Sequence, residues 1–167
     1  MHNIRQATID DAEAIDYIWR QRLDEDQPPN EESLKHFQRM LEEQDDVFKC
    51  WVLEEGGKIK GWGSLCPMRN NPAVRKTMAE YSIYLARDER GKSYGTQIIE
   101  HALNHAKQTP LEWIFAFVGK ANQSSFVLAK RFGWEQIGEL PPVEKKPDRD
   151  VVGVWILSIG KIVKKEL

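Results

Sequence analysis

Several features that would assign a function outright are scarce or missing. In 167 residues there are only two cysteines, Cys50 and Cys66. Neither sits in a C-x-x-C pair or a Cys/His cluster, so no zinc site or disulfide framework is indicated. No apolar run approaches the ~18 residues of a membrane span. The start, Met1-His2-Asn3-Ile4-Arg5, lacks the apolar stretch of a signal peptide. The expectation is a cytoplasmic protein with reduced thiols and no membrane partner. A formal net charge of −2 excludes a simple polycation built for nucleic acid, and also an acidic disordered chain. There is no internal repeat, no Gly-Lys-Ser/Thr at the spacing of a Walker phosphate loop and no G-x-G-x-x-G dinucleotide fingerprint. The four histidines show no metal spacing with carboxylates. His101 and His105 stand at i, i+4 but lack an acidic third ligand, so they read as surface and no metal is expected.

What is present suits one globular domain over 1–167, with 41% hydrophobic and 30% charged residues. The charge is unevenly spread. From Asp10 to Asp46 there are 13 acidic and four basic residues, a net of −9, which leaves +7 on the rest. Ile4–Ala7 reads as a short strand. Asp10 or Asp11 can cap a helix carrying Ile15, Ile18 and Trp19, and a second helix carries Leu34, Phe37 and Leu41. Phe48–Glu55 and Ile59–Leu65 read as a hairpin around Gly56-Gly57, since Gly-Gly suits positive φ. Met78–Leu85 is a strand and Gly95–Gln108 a helix. Trp113–Val118 is a near-continuous apolar run, as in a strand buried on both faces. Asn122–Phe132 is a helix stopped by Gly133; Trp134–Glu139 and Val151–Leu157 are final strands, joined by the proline-rich loop 141–150. The order β-α-α-β-β-β-α-β-α-β-β predicts an α/β domain with a mixed central sheet flanked by helices.

The informative stretch is Tyr84-Leu85-Ala86-Arg87-Asp88-Glu89-Arg90-Gly91-Lys92-Ser93-Tyr94-Gly95-Thr96. A strand ends, a loop with two glycines follows, and a helix begins. The first N–H groups of a helix have no intrahelical partner and lie at its positive end, so such a loop can hold phosphate or pyrophosphate. Arg90 and Lys92 add positive charge. Alone, a loop of this kind is often only a turn.

Together with its flanks, the segment resembles the GNAT acyltransferases, and within them the phosphinothricin (amino-acid-type) N-acetyltransferases. The family's pyrophosphate loop has the form Arg/Gln-x-x-Gly-x-Gly/Ala; here it reads Arg90-Gly91-Lys92-Ser93-Tyr94-Gly95, with Ser93 in place of the central glycine. Ile4-Arg5-Gln6-Ala7-Thr8 followed by Asp11 resembles the opening strand and helix. Ala79-Glu80-Tyr81-Ser82-Ile83-Tyr84 resembles the subgroup's Glu-x-Ser-Val-Tyr strand. Asn122-x-x-Ser125 through Gly133-Trp134 and Gly138 resembles the Asn-x-x-Ser…Gly-Phe segment, and Asp150-Val151-Val152 to Trp155 the closing strand. The likeness covers nearly the whole chain.

The resemblance implies the acyl-CoA N-acyltransferase fold, with acetyl-CoA between the strand ending at Leu85 and the strand ending near Val118. Backbone groups of Ile83, Tyr84 and Leu85 would hold the pantetheine arm as an added strand does. Gly91 to Thr96 would hold the pyrophosphate, Asn122 and Ser125 the sulfur end, and Lys130 or Arg131 the adenosine phosphates. Relatives in the subgroup are often dimers, so a homodimer is compatible with it.

Acetyl transfer needs a neutral amine, donors for the developing oxyanion, and a proton for the departing thiolate. Glu80 corresponds to the subgroup's glutamate and is the candidate base, acting through water or with a pKa raised by burial. Its plainer reading is an ion pair with Arg69 or Arg75. The resemblance places a tyrosine or histidine seven residues after the Asn, but that position is Ala129. Ser125, one helical turn earlier, is the candidate donor, ahead of Tyr94 and Ser93. Arg69 and Arg75 are candidates for an acceptor carboxylate, and Trp62 for the acceptor wall. The expectation is an acetyl-CoA-dependent N-acetyltransferase acting by direct attack on a small primary amine, with an amino acid or analogue as the candidate acceptor. A protein or peptide N-acetyltransferase and a non-catalytic acyl-CoA-binding module stand as alternatives.

Overall fold

A computed structural model describes residues 2–22, 27–142 and 151–160. Its elements are β1 (His2–Gln6), α1 (Ala12–Arg20), α2 (Glu31–Glu42), β2 (Cys50–Glu55), β3 (Lys58–Pro67), β4 (Met78–Leu85), α3 (Tyr94–Ala106), β5 (Trp113–Gly119), α4 (Gln123–Arg131), β6 (Glu135–Leu140) and β7 (Val152–Ser158). The strands form one seven-stranded sheet in the order β1-β2-β3-β4-β5-β7-β6. Only β4 and β5 run parallel, joined by the α3 crossover; the other pairs are antiparallel. Among the described residues no helix is long and apolar enough to cross a membrane.

Local chemistry starts and stops these elements. Thr8 and Asp11 form a reciprocal capping box ahead of α1. The Arg5 guanidinium grips both Asp11 oxygens at 2.8 and 2.9 Å and reaches Glu54 at 2.9 Å, pinning β1, β2 and α1 together. This fork, together with the Thr8 backbone N–H, outweighs burial and holds the Asp11 carboxyl below its usual range. Asn30 caps α2 by accepting from the Glu32 N–H at 2.8 Å. Gly56 and Gly57 turn the β2–β3 hairpin at φ 59° and 73°, in the left-handed region expected of such a turn.

The sheet is covered unevenly. Helices α1 and α2 bury Ala12, Ile15, Ile18, Phe37 and Leu41 against Cys50, Val52 and Trp62. On the opposite face, α3 and α4 close over Trp51, Leu65, Ala79, Tyr81, Ile114, Val118, Trp134 and Trp155. β5 is therefore buried on one face only. Trp113 and Phe117 remain exposed because α1 and α2 pack over β2–β4 and stop short of it. His101 and His105 also differ from the sequence reading: both pack edge-on against Trp51, at 5.5 and 5.1 Å between ring centroids, because their helical spacing aims them at β2.

Candidate active site

β4 and β5 pair only where Met78, Ala79 and Glu80 lie opposite Trp113, Ile114 and Phe115. Beyond that point β4 stays paired with β3, and β5 with β7. The sheet thus opens into a fork between Tyr81–Leu85 and Ala116–Val118. A cavity of about 210 Å³ fills the fork. Glu80, Ser82, Ile83 and Tyr84 line it from β4, Ala116, Phe117 and Val118 from β5, and Asn122, Ser125, Leu128 and Ala129 from α4. Facing strand edges without partners are places where an extended chain with amide groups can add as a strand.

Glu80 stands at the crotch of the fork. It is half-buried, and burial alone raises its pKa. Among the described residues it forms no ion pair, so neither Arg69 nor Arg75 neutralises it. Two-residue alternation puts Glu80, Ser82 and Tyr84 on one face of β4, opposite Cys66, Ser64 and Trp62 of β3. Ser125, in the first turn of α4, and Asn122, its N-cap, line the cavity; the Asn122 side-chain oxygen caps the helix by accepting from the Ser125 N–H at 3.1 Å. That leaves the Asn122 amide and the Ser125 hydroxyl for a ligand. Ala129, one turn later, is buried and offers no proton.

The loop at the open end of β4 has the backbone of an anion cradle. Gly91 and Ser93 both adopt left-handed conformations, at φ 81° and 65°, and α3 begins at Tyr94 with its first N–H groups free. Ser93 occupies the position of the family's central glycine in the conformation that glycine favours. Gly95 packs closely: a Cβ there would meet Leu128, Ile83 and Leu85 at 3.6–3.7 Å, ordinary contact distances.

Several predicted residues are placed otherwise than expected. Trp62 does not line the cavity. It is only 2% exposed, wedged between Phe37 and Tyr84, and its indole N–H donates to the Ile15 carbonyl at 3.2 Å. Arg69 lies exposed in the turn after β3 and lines neither groove. Arg75 does line a second groove of about 180 Å³, beside Arg39, Glu43, Phe48 and Cys66, with its guanidinium over the Phe48 ring and 3.8 Å from Asp45. Arg90 donates to the Gln21 carbonyl at 2.8 Å instead of standing free in the loop. Lys92 and Lys60 both bind the Glu89 carboxylate, at 2.8 and 2.7 Å, and hold it below its usual range. The Tyr94 hydroxyl donates to Glu55 at 3.2 Å, on the side away from the cavity. Lys130 lies over the Phe126 ring.

Tyr81 and Trp134 line the inner cavity wall with a buried hydroxyl and a buried indole N–H that have no partner among the described residues; neither was singled out as a site residue from the sequence. Gln21, joined to the loop, was missed as well. Tyr81 and Trp134 lie inside the motif segments quoted above, but at positions those motifs give no polar role; no motif marks Gln21.

Residues 12–134 match the sequence profile of the Acetyltransferase (GNAT) family, well over half of the chain. The chain belongs to this family. A stretch of 93 residues is 30% identical to the L-methionine sulfoximine/L-methionine sulfone acetyltransferase of Pseudomonas aeruginosa, covering 56% of this chain and 54% of that one. The chain thus spans about half the length of that relative. Among solved structures, an N-acetyltransferase from Staphylococcus aureus superposes with a TM-score of 0.80 at 22% identity, over 95% of this chain and 99% of that one. A phosphinothricin acetyltransferase from Sinorhizobium meliloti, solved with acetyl-CoA, superposes at 0.77 and 23% identity, over 94% and 88%. At that identity these likenesses establish the shared GNAT fold.

Proposed function

We propose that this GNAT protein transfers the acetyl group of acetyl-CoA to the primary amine of a small molecule, an amino acid or a close analogue. The observation that carries the reading is the fork between β4 and β5 with an unpaired, half-buried Glu80 at its crotch. The residues fit acyl-CoA along its length. The opened edge of Ile83 to Leu85 offers backbone partners to the pantetheine amides, and Asn122 and Ser125 offer donors near the sulfur. The backbone from Gly91 to Thr96 presents N–H groups to the pyrophosphate.

In this reading the amine attacks the thioester carbonyl directly in a ternary complex. An N–C bond forms, the C–S bond breaks, and the sulfur leaves as a thiolate that takes up, by way of the Ser125 hydroxyl, the second proton the attacking nitrogen gives up. A primary amine has a pKa near ~10.4 and is mostly protonated at neutral pH. Glu80, with its pKa raised and no competing cation, accepts that proton directly or through a water. Strand N–H groups near Tyr84 meet the developing oxyanion, and the Ser125 hydroxyl donates to the sulfur where Ala129 cannot. Cys66 lies opposite Glu80 and also lines the Arg75 groove. One acceptor could therefore present its amine to Glu80 and a carboxylate to Arg75, which fits an amino acid better than a simple amine. The named Pseudomonas relative supports the same class.

The test is thiol release from acetyl-CoA over a panel of amines that includes L-methionine sulfone. Release that depends on both acetyl-CoA and a small amine is expected, with Glu80→Gln lowering turnover while CoA affinity holds. Tight CoA binding without transfer to any small amine or peptide would instead identify a non-catalytic binding module, and transfer confined to peptides a protein acetyltransferase.

A further inference from the structure

Gln21 is buried, 8% exposed, at the C-terminal end of α1, the helix packed on the Glu80 face of the sheet. A buried amide side chain costs stability unless its polar atoms are satisfied. Gln21 makes its contacts across 66 and 69 residues of sequence, to both ends of the turn that enters the pyrophosphate loop. Its side-chain oxygen accepts the Arg87 backbone N–H at 3.0 Å, and its backbone carbonyl accepts Arg90 Nη2 at 2.8 Å. Between those points the chain makes a single helical turn, Arg87–Glu89, and then reaches Gly91 and Ser93, the two left-handed residues that aim the loop. Glu89 is itself held by Lys60 from β3.

We infer that Gln21 is a positioning residue that bolts the pyrophosphate loop to α1, so that affinity for the phosphate end of acyl-CoA depends on a helix on the acceptor side of the sheet. Gln21 touches no reacting atom. It holds the turn from which the cradle N–H groups are aimed, and an anion cradle works only when those groups are fixed in advance. The Arg90 charge is spent on the same bolt, which leaves the loop's backbone to meet the phosphates. This rests on the acyl-CoA reading above.

Two ligands separate a positioning role from a general structural one: CoA, which carries the pyrophosphate, and pantetheine, which lacks it. Gln21→Met keeps the side-chain length and removes the acceptor oxygen. Arg87→Pro removes the same bond from the other end, at the first position of a helical turn where proline is tolerated; Arg87→Ala keeps the N–H and serves as its control. Calorimetric titration should show the Kd for CoA rising at least about fivefold in Gln21→Met and in Arg87→Pro relative to Arg87→Ala, as for loss of one buried hydrogen bond. The Kd for pantetheine should stay at the wild-type value. Combining the two substitutions should weaken CoA no further than either alone, since they break one bond. Unchanged CoA affinity, or equal losses for CoA and pantetheine, would overturn the inference. A wild-type protein that binds no CoA would overturn it together with the proposed function.

Discussion

The depth at which α3 seats on the sheet is set by glycines, and Gly63→Ala measures it. A Cβ at Gly63 would stand 2.6 Å from Ile98 Cγ2, 3.1 Å from the Tyr81 hydroxyl and 3.4 Å from the Ser82 carbonyl. Carbon atoms pack best at ~3.5–4.0 Å, so the overlap with Ile98 is on the order of 1 Å. Ile98 is fully buried and Tyr81 nearly so, which leaves neither an easy retreat. Overpacking of this kind costs about 1–3 kcal/mol. At roughly 2–4 °C per kcal/mol for a chain of this size, Tm should fall by about 2–12 °C. Because the proposed anion cradle lies at the first turn of α3, CoA affinity should weaken in parallel. The cause can be isolated with Ile98→Ala, which removes the clashing methyl. Alone it should cost about 2–5 kcal/mol, but in the Gly63→Ala background it should cost less, by about 1 kcal/mol or more of coupling. Urea unfolding of the four proteins gives that coupling. A Gly63→Ala protein with wild-type stability, or two costs that simply add, would refute the account of how α3 is seated.

Other outcomes follow from single residues. Ser93→Gly should stabilise the protein by about 0.5 kcal/mol, since relief of a left-handed L-residue, about 1–2 kcal/mol, is partly offset by glycine's freedom in the unfolded chain; the bulkier, β-branched Ser93→Val should lower both Tm and CoA affinity. Glu80 has its pKa raised in the fold, so the native state holds its proton more tightly than the unfolded chain, and folding stability falls as pH rises from the unfolded value through the folded one. Glu80→Gln should therefore match wild-type stability at acid pH and exceed it at neutral pH in urea titrations, and a constant difference across pH would contradict the burial of that carboxyl. Trp62→Phe removes the indole donor to the Ile15 carbonyl and part of a buried ring, and should cost at least about 1 kcal/mol. It should leave the acceptor KM unchanged, because the ring lies in the core and not in the cavity.

Much of the fold could be read locally. The Gly56-Gly57 turn, the apolar spacing of Ile98, Ile99, Ala102, Leu103 and Ala106, and Gly133 at φ 81° after α4 are signals a short window contains. The parallel crossover followed from strand-helix-strand order alone. The errors came where packing decides. Trp113–Val118 looked buried on both faces because its residues are apolar, but among the described residues no helix packs over its outer face. Trp62 carries the pattern of a strand residue either way; only its closure by Phe37 and Tyr84 assigns it to the core. At the site, Glu80 and the 90–95 loop were visible as motifs, and the backbone conformation at Ser93 bears out why glycine is usual there. The Arg90 contact with Gln21, the Lys92 pairing with Glu89 and the unpartnered Trp134 indole are products of tertiary approach and leave no mark on spacing.

In the proposed function, acyl-CoA lies in the opening between β4 and β5 with its thioester beside Glu80. A crystal structure of the protein with acetyl-CoA tests it most directly. Pantetheine density should run between residues 83–85 and 116–118, with its amides bonded to the β4 backbone, the pyrophosphate on the N–H groups of 91–96, and the acetyl group at the Glu80 end. Acetyl-CoA bound elsewhere on the chain, or bound with its acetyl group directed away from Glu80, would contradict it.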